Sequence, residues 1–497
     1  MKLKPWTRFC GVTVASLALL TAACSDQSLV QPEAARAPSP SPLFSHVASP
    51  GNHIVVLAAA SAPSAALAAE IQAAGGAITH QHDELGVLDV SGLTDAAALT
   101  LAARADIEGI DRDFQVQWIP SDEELTAQAH GAYYYGIGYQ WNMSVSGADL
   151  TWHTTAEGAG TRVAILDTGI DPNHPDLAGR YDLANSVSVL SPGSSACNAV
   201  VGLPDEETYY DFRFHGTFVS GIVSSNGLGV ASVAPGATLI GVKVLTCTGG
   251  GSFGDLIDGI AHATDVGADV INMSLGGYFS KDLPGAKELV KAVQRAVDDA
   301  HKKGVLLVAA SGNGGLNLDE DTKDMIHIPS QLKHVLSVGA TGPINQTDFD
   351  QLAGYSNHGK KGADMVAPGG NRTAGGVTPD GITSPCSSYS YFYPICGTGA
   401  YYLLGGNGTS YASPMVAGAA AVVEGETPGD SKGKDLEKCI LRGVDDLGDK
   451  GTDAIYGAGR LNVPDAITCK SKKSNKSDKS DKSDKSGKSE KSKTGGE

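Results

Sequence analysis

Long apolar runs are almost absent from this sequence of 497 residues. After residue 23 no apolar stretch is long enough to span a membrane, which excludes a protein with several transmembrane helices. The one apolar run, residues 9–23, follows Lys2, Lys4 and Arg8 and is short for a spanning helix. It is typical of a secretory signal peptide, so the sequence predicts an exported protein with a signal over residues 1–23.

The signal ends in the sequence LTAAC, whose last residue is Cys24. This ending resembles the lipobox of bacterial lipoproteins, with the leucine one place earlier than in the commonest form. We expect lipidation at Cys24, and the alternative is ordinary signal cleavage near the same alanines. Residues 25–50 are rich in Pro, Ser and Ala and would form a flexible tether.

Positive charge is also scarce, because 37 Lys and Arg stand against 55 Asp and Glu for a net charge of −18. Residues 470–497 hold ten lysines and five acidic residues, which leaves −23 for the rest of the chain. So acidic a body argues against binding to nucleic acid. The tail repeats Lys-Ser-Asp triplets without an apolar residue, so we expect it to be disordered.

The sequence has no Cys-x-x-Cys motif and no Cys/His spacing typical of zinc. Six of its eight cysteines follow residue 148, and an even number in an exported chain favours disulfides. Fifteen pairings of six cysteines are formally available. Proximity along the chain predicts the pairs Cys197–Cys247, Cys386–Cys396 and Cys439–Cys469.

Two folded regions follow from the apolar patterns. Residues 52–117 alternate short strands with two helices and predict a small α+β domain. From residue 162 apolar strands alternate with amphipathic helices up to about residue 309. That alternation predicts an α/β fold with a mainly parallel sheet flanked by helices.

Four polar residues lie where predicted elements begin or end. Asp167 closes a strand of the buried type, and His215 opens a helix. Asn313 follows another strand in a glycine-rich turn, and Ser410 stands between a glycine and an apolar helix. Each pattern alone is more often a turn or a helix cap. Together they supply a nucleophile, a base, an orienting acid and an oxyanion donor in the chain order Asp, His, Ser.

With these four blocks in this order, residues 148–469 resemble a subtilisin-type serine protease. The resemblance implies Ser410 as nucleophile, His215 as general base and then acid, and Asp167 as the carboxylate that holds the imidazole. It implies Asn313 and the Ser410 amide as the oxyanion hole, with no cofactor for the chemistry. Proteins or peptides would be the substrates, and we expect a monomer.

The chain departs from the family signature at three positions. Tyr411 and Met415 stand where Met and His are common, and Phe218 stands where a second His is common. None of these changes removes a group that the chemistry needs.

Glycine-rich segments could bind an extended peptide by strand addition, because glycine lets backbones approach closely. By resemblance, the residues that line the peptide on the N-terminal side of the scissile bond are Gly249, Gly250, Gly251, Phe253, Ser274, Leu275 and Gly276. Ala310 and Gly312 would belong to one wall of the primary pocket. The small side chains of that wall predict room for a bulky apolar side chain.

Many members of the family bind structural calcium, so the resemblance implies that this chain could bind it too. A ligand set of the Lys333 and Val335 carbonyls with the Asp364 carboxylate is one reading, and backbone hydrogen bonds alone to Asp364 are the other. The strong family site is less expected, because the loop over residues 223–230 is about two residues short, which weakens Asp176 as a ligand.

By position and pattern, residues 52–117 resemble the inhibitory propeptide of this family. We therefore expect a zymogen that is inhibited by its own propeptide, with residues 118–147 as the maturation region. The first cleavage is expected between residues 117 and 132. It would free the protease from a lipid anchor at Cys24, so the protein is expected outside the cell or on its envelope.

Two other classes of function remain at this point. One is a catalytically silent binding module on the cell surface, and the other is an esterase or peptide ligase that uses the same triad. The aromatic segment over residues 370–406 could shape the leaving-group side of the cleft or serve as packed scaffold.

Overall fold

The computed structural model describes residues 47–119, 126–128, 135, 138–191, 193, 205–282, 286–371, 379–398, 401–426 and 433–469. The predicted signal, Cys24, most of the tether and the tail over residues 470–497 lie outside the described residues. Within the described ranges, no helix combines the length and hydropathy needed to cross a bilayer.

The first part of the chain, residues 47–119, is a four-stranded antiparallel sheet with two helices. The sheet order is β2-β3-β1-β4. Its elements are β1 (Val47–Leu57), α1 (Ala65–Ala73), β2 (Ala77–His82), β3 (Val87–Ser91), α2 (Asp95–Leu101) and β4 (Ile107–Gln117). This is the small α+β domain that the sequence predicts.

The inner strands β1 and β3 of this small sheet are buried on both faces, and successive side chains point alternately to one face and the other. In β1, Val55 and Leu57 pack with the apolar residues of α1 and α2. Ile54 and Val56 point the other way and pack into a core shared with the large domain. The small domain is therefore docked onto the large one by a full sheet face.

The large domain is built on a nine-stranded sheet with the order β18-β19-β15-β14-β12-β10-β6-β8-β7. All neighbours in it are parallel except β18 and β19. The remaining strands are β5 (Thr126–Gln128), β6 (Arg162–Asp167), β7 (Val187–Ser188), β8 (Thr238–Lys243), β9 (Gly250–Ser252), β10 (Val270–Met273), β11 (Gly277–Ser280), β12 (Leu306–Ala310), β13 (Met325–Ile328), β14 (Val335–Thr341), β15 (Met365–Pro368), β16 (Ile382–Cys386), β17 (Tyr402–Gly406), β18 (Val444–Asp445) and β19 (Arg460–Leu461).

Helices cover both faces of this sheet. They are α3 (Trp141–Val145), α4 (His215–Val223), α5 (Phe253–Asp265), α6 (Ala286–Lys303), α7 (Thr409–Gly425) and α8 (Gly433–Arg442). In β6, Val163 and Ile165 pack in the core that contains α4 and α7. Ala164 and Leu166 pack in the opposite core with α5 and α6. The predicted α/β class is confirmed, and burial on both faces explains the continuous apolar strands.

Two of the three predicted disulfides are present. Cys386 and Cys396 close the end of β16, with their Cα atoms 6.0 Å apart. Cys439 and Cys469 tie α8 to the last described residue, with Cα atoms 5.3 Å apart. The third predicted pair includes Cys197, which lies outside the described residues.

Candidate active site

The site lies at the carboxyl edge of the large sheet, where open α/β sheets place ligands. Asp167 is the last residue of β6, and His215 is the first residue of α4. The Nδ1 atom of His215 lies 2.8 Å and 3.0 Å from the two carboxylate oxygens of Asp167. Both side chains are fully buried, so the carboxylate can fix the orientation and tautomer of the imidazole.

Asp211 supports the start of α4 and was not singled out from the sequence. Its buried carboxylate accepts hydrogen bonds from the backbone N–H of Phe214 at 2.9 Å and of Thr217 at 2.9 Å. Phe214, directly before His215, has a φ of 147°. This backbone conformation costs free energy and persists only where the surrounding structure holds it. Burial raises the pKa of Asp211. An acidic residue just before a predicted helix was the available signal.

The aromatic segment packs on the same region. The Ser387 hydroxyl donates to the Asp211 carbonyl at 2.7 Å, and the Tyr389 ring stacks on Tyr210 with centroids 4.4 Å apart. These contacts favour the scaffold interpretation for residues 379–398.

Ser410 is the second residue of α7 and is 6% exposed. Its Oγ donates to the Ser274 carbonyl at 3.1 Å, and the Ser274 hydroxyl donates to the Ser410 carbonyl at 2.7 Å. The neighbouring Tyr411 ring lies 5.8 Å from the His215 ring. A rotation of the Ser410 hydroxyl away from Ser274 is therefore needed before His215 can take its proton, and catalytic hydrogen bonds often tighten only when substrate binds.

Asn313 is exposed at the mouth of the site and is held by Thr409. Its Oδ1 accepts hydrogen bonds from the Thr409 N–H at 2.9 Å and the Thr409 hydroxyl at 2.8 Å. A Cβ placed on Gly408 would lie 3.6 Å from the Ser410 nitrogen and 3.7 Å from Asn313 Nδ2. Both predicted oxyanion donors therefore border one space, which the glycine keeps open.

The predicted peptide-binding edge carries the end of the small domain. Strand β4 pairs antiparallel with β9, which holds two of the three predicted glycines. Beyond β4, the N–H groups of Trp118 and Ile119 donate to the Gly249 carbonyl at 3.1 and 3.2 Å. The Gly276 N–H donates to the Trp118 carbonyl at 3.2 Å. The chain thus uses both glycine segments to hold an extended peptide of its own.

A family model described as the subtilase family matches residues 158–459. The chain belongs to this family. It is a subtilisin-like serine protease, and Asp167, His215 and Ser410 all lie inside the matched range.

Two protease sequences are similar to this subtilase. An alkaline protease of Alkalihalobacillus alcalophilus is 32% identical over 359 residues, which cover 72% of this chain and 75% of that protein. A thermophilic serine proteinase of Bacillus sp. (strain AK1) is 30% identical over 364 residues, or 71% of each chain.

Two solved structures share its fold. The epidermin leader peptide processing serine protease of Staphylococcus aureus has a TM-score of 0.67 at 22% identity and covers 84% of this chain and 97% of its own. A lanthipeptide protease has a TM-score of 0.55 at 28% identity and covers 67% of this chain and 95% of its own.

Phe253 of the subtilase lines an aromatic pocket that Trp118 fills. The Trp118 ring lies 5.4 Å from the Phe253 ring and 5.6 Å from the Phe279 ring. Its Nε1 donates to the Gly251 carbonyl at 3.0 Å, and the side chain is 2% exposed. Leu275 is buried in the same apolar core. Trp118 falls in the predicted maturation region and was not singled out from the sequence.

The wall that contains Ala310 and Gly312 is fixed by a residue the sequence did not indicate. Ala310 ends β12, and the Gly312 N–H donates to the Thr409 hydroxyl at 3.2 Å. Asn357 donates from Nδ2 to the Ser311 carbonyl at 2.6 Å and accepts from the Gly314 N–H at 3.1 Å. Asn357 carries no local motif, because its partners are more than 40 positions away along the chain.

Two of the three ligands predicted for calcium accept hydrogen bonds from the protein. The Lys333 carbonyl accepts a hydrogen bond from Gln294 at 3.1 Å, and Asp364 accepts one from the Ser337 N–H at 2.8 Å. Burial raises the pKa of Asp364. Val335 begins β14. The bond to Asp364 is of the kind that the second reading expects, calcium at this place stays a prediction, and the mechanism needs no calcium.

Asp176 likewise bonds its own loop. Its Oδ1 accepts from the N–H groups of Leu228 and Gly229, each at 2.9 Å, and from the Ser225 hydroxyl at 3.1 Å. The shortened loop therefore closes directly on the carboxylate.

Proposed function

We propose that this subtilase is an endopeptidase that is made as a zymogen and cuts peptide bonds through Asp167, His215 and Ser410. The observation that carries the proposal is the buried pair of His215 and Asp167 at the sheet edge where α7 presents Ser410. A buried imidazole held at Nδ1 is suited to exchange a proton at Nε2.

In the proposed reaction, Ser410 Oγ attacks the peptide carbonyl while His215 takes its proton. The negative oxygen of the tetrahedral intermediate meets Asn313 Nδ2 and the Ser410 N–H, which lies in the first turn of α7 where N–H groups lack intrahelical partners. The C–N bond then breaks as His215 gives its proton to the amine. Water, activated by His215, hydrolyses the acyl-enzyme, and Asp167 stabilises the imidazolium at both steps.

We further propose that residues 47–119 act as the inhibitory propeptide and are removed by self-cleavage. Trp118 and Ile119 are bound to Gly249 at the predicted peptide-binding edge. A few residues further along, β5 pairs with β17, with Thr126 opposite Gly405, and β17 ends shortly before the nucleophile in sequence. Because these two anchored segments lie at the predicted cleft and beside the strand that leads to Ser410, the cleaved bond is proposed between Ile119 and Thr126. The proposed cleavage site lies within the range of residues 117–132 that the sequence predicts, and it is narrower.

Export as a monomer with a lipid at Cys24 belongs to the same proposal, since self-cleavage would release the protease from its anchor. In cells, the protease part of wild type should appear in the soluble fraction, whereas Ser410→Ala should stay with the membranes. Ser410→Ala combined with Cys24→Ser should leave the membranes. Wild-type protease that remains in the membrane fraction after cleavage would contradict the release.

Active-site labelling with a fluorophosphonate, followed by peptide mapping, tests the activity itself. We expect wild type to be labelled at Ser410 and to hydrolyse a peptide amide, and Ser410→Ala to do neither. Ser144→Ala, which changes an exposed serine in α3, is the matched control and should keep both. If folded wild type is neither labelled nor active, a silent binding module is the better account. Ester hydrolysis or acyl transfer without amide hydrolysis would favour the other alternative.

A further inference from the structure

His327 lies between the segments that follow two neighbouring strands of the large sheet, and the proposed mechanism does not use it. Strands β10 and β12 are parallel neighbours, so the segments that follow them leave the sheet side by side. These segments contain Gly276 and Gly312, which the sequence assigns to the walls of the substrate cleft. The sequence predicts room for a bulky apolar side chain there.

The ring of His327 fills the space between these walls. A Cβ built on Gly276 would lie 2.9 Å from His327 Nε2, and one built on Gly312 would lie 2.7 Å from the same atom. These separations mean that the ring is packed against both glycine backbones. The side chain is 2% exposed.

His327 is held in this position from three directions. Strand β13 pairs with β11 and sets His327 opposite Tyr278. The Tyr278 ring packs edge-on against the imidazole with centroids 4.8 Å apart, and His327 Nδ1 is 2.7 Å from the Ser330 hydroxyl. A side chain packed and bonded in this way cannot yield its volume to a ligand without repacking.

The imidazole is also uncharged at neutral pH. Burial lowers the pKa of His327 to about 3. The ring therefore offers no positive charge to an acidic substrate, and selection by size is the effect that remains.

We propose that His327 closes the bottom of the pocket for the residue before the scissile bond, so that this subtilase prefers small uncharged side chains there and rejects aromatic ones. The inference rests on the proposed peptidase function and makes it more specific. It replaces the expectation of room for a bulky apolar side chain.

Two chromogenic peptide amides that differ only in their last residue, alanine or phenylalanine, test this inference. For wild type we expect kcat/KM to be at least about tenfold higher for alanine, which is the size of discrimination that a pocket of fixed volume supplies. In His327→Ala the ratio should fall at least about tenfold, through a gain in the rate with phenylalanine. His153→Ala, at a histidine whose side chain is 93% exposed, should behave as wild type.

The ratio of the rates with alanine and phenylalanine in one preparation does not depend on the fraction of folded enzyme. His327→Ser is a second variant in which the imidazole is removed. Equal rates with alanine and phenylalanine in wild type, or an unchanged ratio in both variants, would overturn the inference while leaving the peptidase proposal intact. Faster cleavage after glutamate than after alanine would overturn selection by size. If neither amide is cleaved and Ser410 is not labelled, the proposed function fails and the inference falls with it.

Discussion

Single side chains at this site act through the partners that hold them. Asp167 holds His215 at Nδ1, and Thr409 holds Asn313 through its Oδ1. In both cases the remaining nitrogen of the side chain is the one the chemistry needs. The orientation of His215 and Asn313 therefore depends on Asp167 and Thr409, which form no bond to the peptide in the proposed reaction.

Replacing Asn313 with Ala should lower kcat by about 10²–10³ with little change in KM, because an oxyanion exists only after attack has begun. That magnitude is the one known for removing such a donor from a subtilisin, a member of this family. Steady-state kinetics on a peptide amide measures both constants. Asn185→Ala, which removes an amide bonded to Asp182, is the control. A loss of less than tenfold would mean that Asn313 is not an oxyanion donor.

At the scale of elements, the sequence predicts helices and strands well wherever both faces are buried. The apolar pattern predicts a helix over residues 254–266, and α5 spans Phe253–Asp265. Strand β2 escaped prediction because its side chains are mostly exposed and show no apolar alternation. It is ordered by pairing with β3, which a local pattern does not report.

The same reasoning explains which site residues were visible in advance. Asp167, His215 and Ser410 stand at the ends of elements within recognisable motifs. Asn357 and His327 do not, because each acts on glycine segments that are distant along the chain and become neighbours only through the sheet. The pairing between β4 and β9 likewise joins two domains, and the sequence does not show which residues of the two strands lie opposite each other.

Because the loop over residues 223–230 bonds directly to Asp176, we predict that the stability of the protein does not depend on calcium at Asp176. Asp176→Ala should lower the free energy of unfolding by about 1 kcal/mol or more, since the partly buried N–H groups of Leu228 and Gly229 lose their acceptor. Chelation with EGTA should leave the Tm of the Ser410→Ala protein unchanged. Thermal unfolding of Ser410→Ala with and without each change measures both effects. A Tm that falls in EGTA and recovers only with calcium would contradict this account.

At the scale of the whole molecule, acidic groups meet across the contact between the two domains. Asp89 and Asp113 of the small domain face Asp255 and Asp258 at the start of α5. Burial and the charge of Asp255 raise the pKa of Asp113 to about 7, and burial and Asp258 raise that of Asp89 well above its ordinary value. Burial lowers the pKa of His82, but the 2.6 Å hydrogen bond to Asp258 and the negative charges of Asp258, Glu84 and Asp265 together outweigh burial and raise it.

These shifts predict that the domain contact weakens as pH rises. When the domains separate, the carboxyl groups return to ordinary pKa values near about 4. The joined state then binds more protons, so it is favoured as pH falls from about 7 toward 4 and loses this stability as pH rises through 7. The raised pKa of His82 acts in the same direction. Amide hydrogen exchange of β1–β4 in Ser410→Ala should therefore show stronger protection at pH 5.5 than at pH 8.

A neutral substitute for one carboxylate provides the control. Asp89→Asn keeps the shape of the side chain and removes its charge, so it should increase protection at pH 8 and reduce the difference between the two pH values. Protection that is equal or stronger at pH 8 in the Ser410→Ala chain would contradict the proposed role of these groups.

The central claim is that Ser410 cuts its own chain between Ile119 and Thr126. The intact mass and N-terminal sequence of wild type, measured beside Ser410→Ala after incubation at neutral pH, test it most directly. We predict that wild type alone acquires a new N-terminus between residues 120 and 126, while Ser410→Ala stays uncut in this region. If both proteins remain whole there, or both are cut at the same bond, self-cleavage by Ser410 is contradicted.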